Sequence, residues 1–180
     1  MPIFYHVDRD CRLSEGQILT LIHPEIQCPS EILPYLQNFG KQMFPEGVSR
    51  HGDQYFYSAS KTSEKDPMLE ILLEYYRRVH FSHRPSRFQS WFGVESLDDA
   101  VYFQKHFCQG KGIIWRVETE QYFKAQMNLI SHQTVLVFSY LANLYWSGQT
   151  VPQISSPFWE ILLVPPVKVL HNVQHDNIFS

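Results

Sequence analysis

One carboxylate stands alone in an apolar run: Pro157-Phe158-Trp159-Glu160-Ile161-Leu162-Leu163-Val164 carries a single charge, at Glu160. The stretch from Phe158 to Val164 predicts a strand, with Pro165-Pro166 marking the turn after it. Strand side chains alternate, so Glu160 shares a face with Phe158, Leu162 and Val164, while Trp159, Ile161 and Leu163 take the other. A strand apolar on both faces is covered on both sides, and an unpaired carboxylate is costly there. Glu160 therefore needs water at a strand end, an arginine partner, or a cleft in which it meets a ligand. The run by itself leaves all three open.

Other residues able to do chemistry lie far from it in the chain. His6 sits in Ile3-Phe4-Tyr5-His6-Val7, a β-prone run followed by the charged turn Asp8-Arg9-Asp10. Ser90, Trp91 and Phe92 close the run Arg87-Phe88-Gln89-Ser90-Trp91-Phe92, which predicts a second strand, and Tyr102 falls on the helix after it. A lone strand histidine is commonly structural, and aromatics on a strand and the next helix commonly pack in a core. Arg77, Arg78, Arg84 and Arg87 form the one marked basic cluster, with His80 and His83 interleaved. It reads either as a solvated helix end that complements the helix dipole or as a phosphate contact, to a dinucleotide or a nucleic acid. Phe81 and Phe88 in that stretch could stack on unpaired bases. The nine histidines show no metal-ligand spacing, since His80 and His83 have no clear third partner, so no metal is expected. No Gly-x-Gly-x-x-Gly comes after a strand, which argues against a Rossmann-type use of a dinucleotide.

The elements that must position these residues are read from periodicity and punctuation. Asp66-Pro67 predicts a helix start, with Met68, Leu69, Leu72, Leu73 and Tyr76 at helical spacing behind it. Ser96 with Asp99 three residues on resembles a capping box opening a helix through Phe107. Gly112 to Val117 predicts a strand, Thr134 to Trp146 a buried helix or a long strand, and Val167 to Leu170 a last short strand. Residues 11 to 60, punctuated by Pro24, Pro29, Pro34 and Pro45, allow only short helices. Strands and helices mix without a βαβ rhythm, which favours an α+β fold.

The bulk numbers agree with one globular unit. A length of 180 residues fits a single domain, residues 1–180, large enough to fold without staples. Hydrophobic residues make up 44%, charged residues only 18%, and the net charge of −3 gives no global footprint for nucleic acid. Three widely spaced cysteines, Cys11, Cys28 and Cys108, form neither a metal knuckle nor a disulfide framework, as expected for reduced thiols in the cytoplasm. The start Met1-Pro2-Ile3-Phe4 shows no secretion signal, and the apolar stretch Val135 to Trp146, broken by Ser139 and Asn143, is too short for a bilayer. A cytoplasmic protein that does not enter a membrane is therefore expected.

The order of these pieces resembles the ADP-ribosyltransferase superfamily. An N-terminal strand carries His6, a middle strand with Ser90-Trp91-Phe92 runs into the helix of Tyr102, and a late strand carries Glu160. Trp91 and Tyr102 match the two aromatics of the His-Tyr-Glu branch, with Trp91 in place of the first tyrosine. The resemblance covers residues 4 to about 170 and implies a split mixed β-sheet core flanked by helices. It implies NAD as co-substrate, Glu160 as catalytic carboxylate, His6 on the adenosine ribose, and Trp91 and Tyr102 stacked on nicotinamide. Ser90 and Phe92 would lie beside that ring, and Arg9 would meet the pyrophosphate. The implied activity is mono-ADP-ribosylation of a macromolecule, RNA, DNA or protein, by a bacterial or phage toxin or defence factor restrained by an antitoxin. A catalytically silent module binding NAD, ADP-ribose or a protein through the same cleft is the alternative. Family members that modify arginine or Rho-type targets carry Glu or Gln two residues before the catalytic Glu; Phe158 stands there instead.

Overall fold

The computed structural model describes residues 1–58, 67–131, 133–151 and 156–173. The chain folds as a mixed α+β protein with two antiparallel sheets and five α-helices. The first sheet has the order β1–β4–β7–β2, from β1 (Ile3–Asp8), β4 (Ile113–Glu118), β7 (Val167–Asn172) and the two-residue β2 (Ile18–Leu19). The second has the order β3–β6–β5, from β3 (Trp91–Gly93), β6 (Trp159–Leu163) and β5 (Tyr122–Gln126). The helices are α1 (Leu33–Met43), α2 (Arg50–Gly52), α3 (Pro67–His80), α4 (Leu97–Phe107) and α5 (Val135–Ser147). A π-helical turn, Asp53–Tyr57, continues α2.

A single β-bridge, Tyr5↔Val94, joins the two sheets among the described residues. β3 pairs with β6 as far as Gly93↔Ile161. The next residue, Val94, leaves β6 and pairs with Tyr5 of β1 through two backbone hydrogen bonds of 2.9 Å. A Cβ at position 93 would lie 3.0 Å from the Tyr5 carbonyl oxygen, so this close approach of backbones favours glycine. Glu160, one residue before Ile161, retains Ala125 of β5 as its only strand partner among the described residues. It therefore sits where the second sheet loses a strand and a gap opens.

Alternation along β6 places its two faces in different cores. Ile161 and Leu163 join Phe4, Trp115, Val117 and Val169 between the sheets, while Leu162 packs with Leu73 of α3 and Tyr145 and Trp146 of α5. Helix α5 is held at both ends by local chemistry. The Thr134 hydroxyl accepts from the Val137 amide, and Gly148 adopts the left-handed conformation (φ 71°) that closes the last turn. The Trp146 indole donates to the Leu73 carbonyl, which fixes α5 against α3. Ser96 caps α4, accepting from the Asp99 amide at 3.1 Å and donating to its carboxylate at 2.6 Å, as its spacing predicts.

Several expectations need correction. Arg87–Gln89 is a 3-10 turn, and the strand starts only at Trp91, because Ser86 turns the chain by accepting from the Phe88 amide. Phe158 lies before β6 and packs under α4 with Phe103 and Tyr102. The prolines before residue 60 do not prevent an eleven-residue helix, since Pro34 occupies the first turn of α1, where its missing N–H is harmless. Asp66, expected as an N-cap, lies outside the described residues. No helix among the described residues is long and apolar enough to cross a membrane.

Leu162 is fully buried between β6, α3 and α5. Leu162→Ala is expected to lower unfolding free energy by about 2–5 kcal/mol in urea titrations, the range for a cavity left in a packed core.

Candidate functional site

A cleft of about 260 Å³ opens at the gap between the sheets. Its walls come from β1 and the turn after it, from the helical segment 50–55, from residues 87–94, and from Phe103, Met127, Phe158 and Glu160.

At its floor lies a buried ionic cluster. The Arg87 guanidinium forks onto Glu70 of α3, with Nε donating to Oε2 at 2.7 Å and Nη2 to Oε1 at 3.0 Å. Its Nη1 donates to Tyr145 Oη at 2.5 Å and to Glu160 Oε1. The Tyr145 hydroxyl in turn donates to the same Glu160 Oε1 at 2.7 Å. His51 Nε2 lies 3.2 Å from Glu70 Oε2. Arg87, Tyr145, Glu70 and Glu160 are all at most 5% exposed. Burial pushes the Glu70 carboxyl up, but the charges of Arg87 and His51 outweigh it and hold Glu70 well below the usual carboxylate range. Burial likewise opposes charge on Arg87, yet Glu160 and Glu70 raise it well above its ordinary value. Tyr145 is pushed well up by burial, against the Arg87 charge and with that of Glu160, so it remains a phenol.

His6 links the two sheets above this floor. Its Nδ1 donates to the Phe92 carbonyl at 2.6 Å, which leaves Nε2 as an acceptor. Burial lowers its pKa, partly opposed by that same hydrogen bond, and keeps the ring neutral near pH 7. Trp91 meets the His6 ring edge-on at 5.8 Å. Charges of both signs line the mouth: Arg50 pairs with Asp10, and the Arg9 guanidinium covers the Phe103 ring at 5.2 Å. Asp8 is committed to the backbone, accepting from the amides of Arg12 at 2.6 Å and Leu13 at 2.8 Å.

A family model described as a protein of unknown function (DUF2441) matches residues 4–175. The chain belongs to the DUF2441 family. No curated protein matches it. The DUF2441 match contains every residue of the cleft and of the cluster beneath it.

Of the residues singled out in the sequence, His6, Arg9, Ser90, Trp91, Phe92 and Glu160 all line the cleft. Tyr102 does not. It is half exposed on α4, tilted against His106 at 4.3 Å and near Phe158, and its neighbour Phe103 faces the cleft instead. The Ser90 hydroxyl is buried and donates to the Ser86 carbonyl at 2.8 Å. Among the described residues, no group of three or more His, Cys, Asp or Glu could hold a metal ion.

The basic cluster stands partly at a helix end, with Arg77, Arg78 and His80 in the last turn of α3, but its arginines are engaged inside the protein. Arg77 and Arg78 are bound by the buried Glu74 carboxylate, and Arg77 also donates to the carbonyls of Ser82 and Arg84. Arg78 reaches the Met43 carbonyl at the end of α1, and Arg84 lies over the Phe123 ring at 4.4 Å. Sequence reasoning missed Arg50, His51, Gln54 and Tyr55 on one wall, and Glu70 and Tyr145 beneath the floor. The spacing of Glu70, Glu74, Arg77 and Arg78 carried a usable signal, because i,i+3 and i,i+4 neighbours share a helix face.

These geometries lead to two expected outcomes. Folded His6 resists protonation, whereas the unfolded side chain takes a proton near its ordinary 6.5. The unfolded state then binds more protons, so stability falls as pH drops through that value, and His6→Gln should flatten the dependence of the urea midpoint between about pH 7 and pH 5. Arg87→Met, which takes the guanidinium away from two buried carboxylates, should cost about 3–5 kcal/mol in chemical denaturation.

Proposed function

We propose that this cleft binds NAD and that the protein is an NAD-dependent mono-ADP-ribosyltransferase acting on a macromolecule, with the ADP-ribosyltransferase-like arrangement of a split sheet. The observation that carries this reading is the convergence of His6, Trp91 and Glu160. They come from three strands distant in sequence and line one cleft at the gap between two sheets.

The chemistry suits the residues. Breaking the bond between nicotinamide and ribose builds oxocarbenium-like positive charge on the sugar, which a fixed carboxylate stabilises. Glu160 supplies that carboxylate. His6, with Nδ1 committed to Phe92, presents Nε2 to a ribose hydroxyl. Trp91 offers a face for nicotinamide; Tyr55, Phe92 and Phe103 are the other aromatic surfaces near it, since Tyr102 lies outside the lining. Arg9 and Arg50 are the cations at the mouth for a diphosphate. The acceptor is RNA, DNA or protein, and a toxin or defence role with a restraining antitoxin fits a small enzyme of this kind.

One observation favours a second reading. The positive charge of Arg87 lies directly on Glu160, which suits a silent NAD- or ADP-ribose-binding module in which the carboxylate is structural. Nicotinamide release and NAD calorimetry on the wild type and Glu160→Gln separate the two. The enzyme reading expects Glu160→Gln to lower the turnover number at least ~100-fold while the fold persists. Binding without release in the wild type selects the module, and absence of both overturns the two readings together.

A further inference from the structure

We propose that Tyr145 and Arg87 are positioning residues that turn one chosen oxygen of Glu160 toward the cleft, and that Glu70 keeps the charge on that oxygen from being cancelled. The inference rests on the reading of Glu160 as the carboxylate that faces the sugar.

Its basis is an asymmetry in how Arg87 treats its two carboxylates. Glu70 receives a two-toothed fork that uses both of its oxygens. Glu160 receives a single N–H on Oε1, and the Tyr145 hydroxyl adds its proton to that same oxygen. Arg87 also donates to Tyr145, so the three side chains form a closed triangle. Among the described residues no hydrogen bond engages Oε2, although Glu160 lines the cleft. A carboxylate serving only to fasten β6 would be expected to accept the same fork that Glu70 does, because bidentate pairing is the strongest geometry available to arginine. Two donors on one oxygen instead fix the carboxylate plane and leave the second oxygen for a ligand.

Glu70 completes the arrangement electrically. One guanidinium is shared between two carboxylates, so Glu70 takes up part of the Arg87 charge that would otherwise fall on Glu160, the one of the two that lines the cleft. His51 faces Glu70 from the far side. Without the Glu70 charge, Arg87 would neutralise Glu160 at the point where positive charge must be stabilised.

Tyr145→Phe and Glu70→Gln separate orientation from charge. For Tyr145→Phe, a crystal structure is expected to show the Glu160 carboxylate rotated or in two orientations. The turnover number for nicotinamide release should fall about tenfold, with the Michaelis constant for NAD nearly unchanged. Glu70→Gln should keep the Glu160 orientation and still lose turnover, because the triangle survives and the charge balance does not. A purely structural role would shift the unfolding midpoint of both variants and leave turnover alone. A Glu160 carboxylate that stays fixed in the Tyr145→Phe crystal overturns the positioning role, and undiminished turnover in Glu70→Gln overturns the charge role. Should the wild type release no nicotinamide, the enzymatic reading and the charge role fall together, and the Tyr145→Phe crystal alone then decides whether Tyr145 orients Glu160.

Discussion

A guanidinium removed from water must have its hydrogen bonds answered, and this requirement at Arg87 organises the middle of the molecule. Its partners are Glu70, Tyr145 and Glu160, at sequence distances of 17, 58 and 73 residues. Helix α3, helix α5 and strand β6 must therefore converge on the 3-10 turn that carries it. Desolvating these ions is costly, and the cost is offset by the hydrogen bonds that Arg87 makes to Glu70, Tyr145 and Glu160. The same convergence delivers Glu160 to the floor of the cleft, so the condition for folding and the geometry of the candidate site are one constraint.

Glu74 repeats the solution one helical turn later. It gathers Arg77, Arg78 and Ser86, and through Arg77 it holds the carbonyls of Ser82 and Arg84. The loop from α3 to the 3-10 turn is thus suspended from two carboxylates on one helix face. A run of arginines that looks from the sequence like a surface for phosphate is largely internal mortar; of its members Arg87 reaches the cleft floor, already bound to carboxylates, and the cations at the mouth, Arg9 and Arg50, come from elsewhere.

Much of this was legible in the sequence, and the failures share a cause. Strands β1, β4 and β6 and the Ser96 cap can be read from local periodicity and capping. So can the placement of Glu160 on the face of Leu162. Residues 134–146, which read as a buried helix or a strand, form a helix buried only in its second half, with Val135 and Leu136 exposed. What local patterns cannot express is pairing at a distance. An apolar and polar run such as Arg87 to Phe92 serves a turn or a strand equally well, and only the burial of Arg87 among remote carboxylates selects the turn. Tyr102 and Phe103 differ by a rotation of about 100° around α4, which decides between solvent and cleft and is finer than a spacing of ten residues can resolve. Strand β5 escaped notice because its five residues mix exposed, polar and buried positions without a clean alternation.

The π-helical turn Asp53–Tyr57 closes with the Ser58 amide on the Asp53 carbonyl at 2.8 Å, one residue wider than an α-turn. It carries Gln54 and Tyr55 on one wall of the cleft. Such wide turns are the geometry left when one residue is inserted into a helix. Deleting a residue there would restore the regular spiral and swing the downstream side chains by about 100°. Phe56 and Tyr57 of the same turn pack with Phe88, the neighbour of Arg87, so the length of this turn sets the contour of the wall and the packing behind the cluster together.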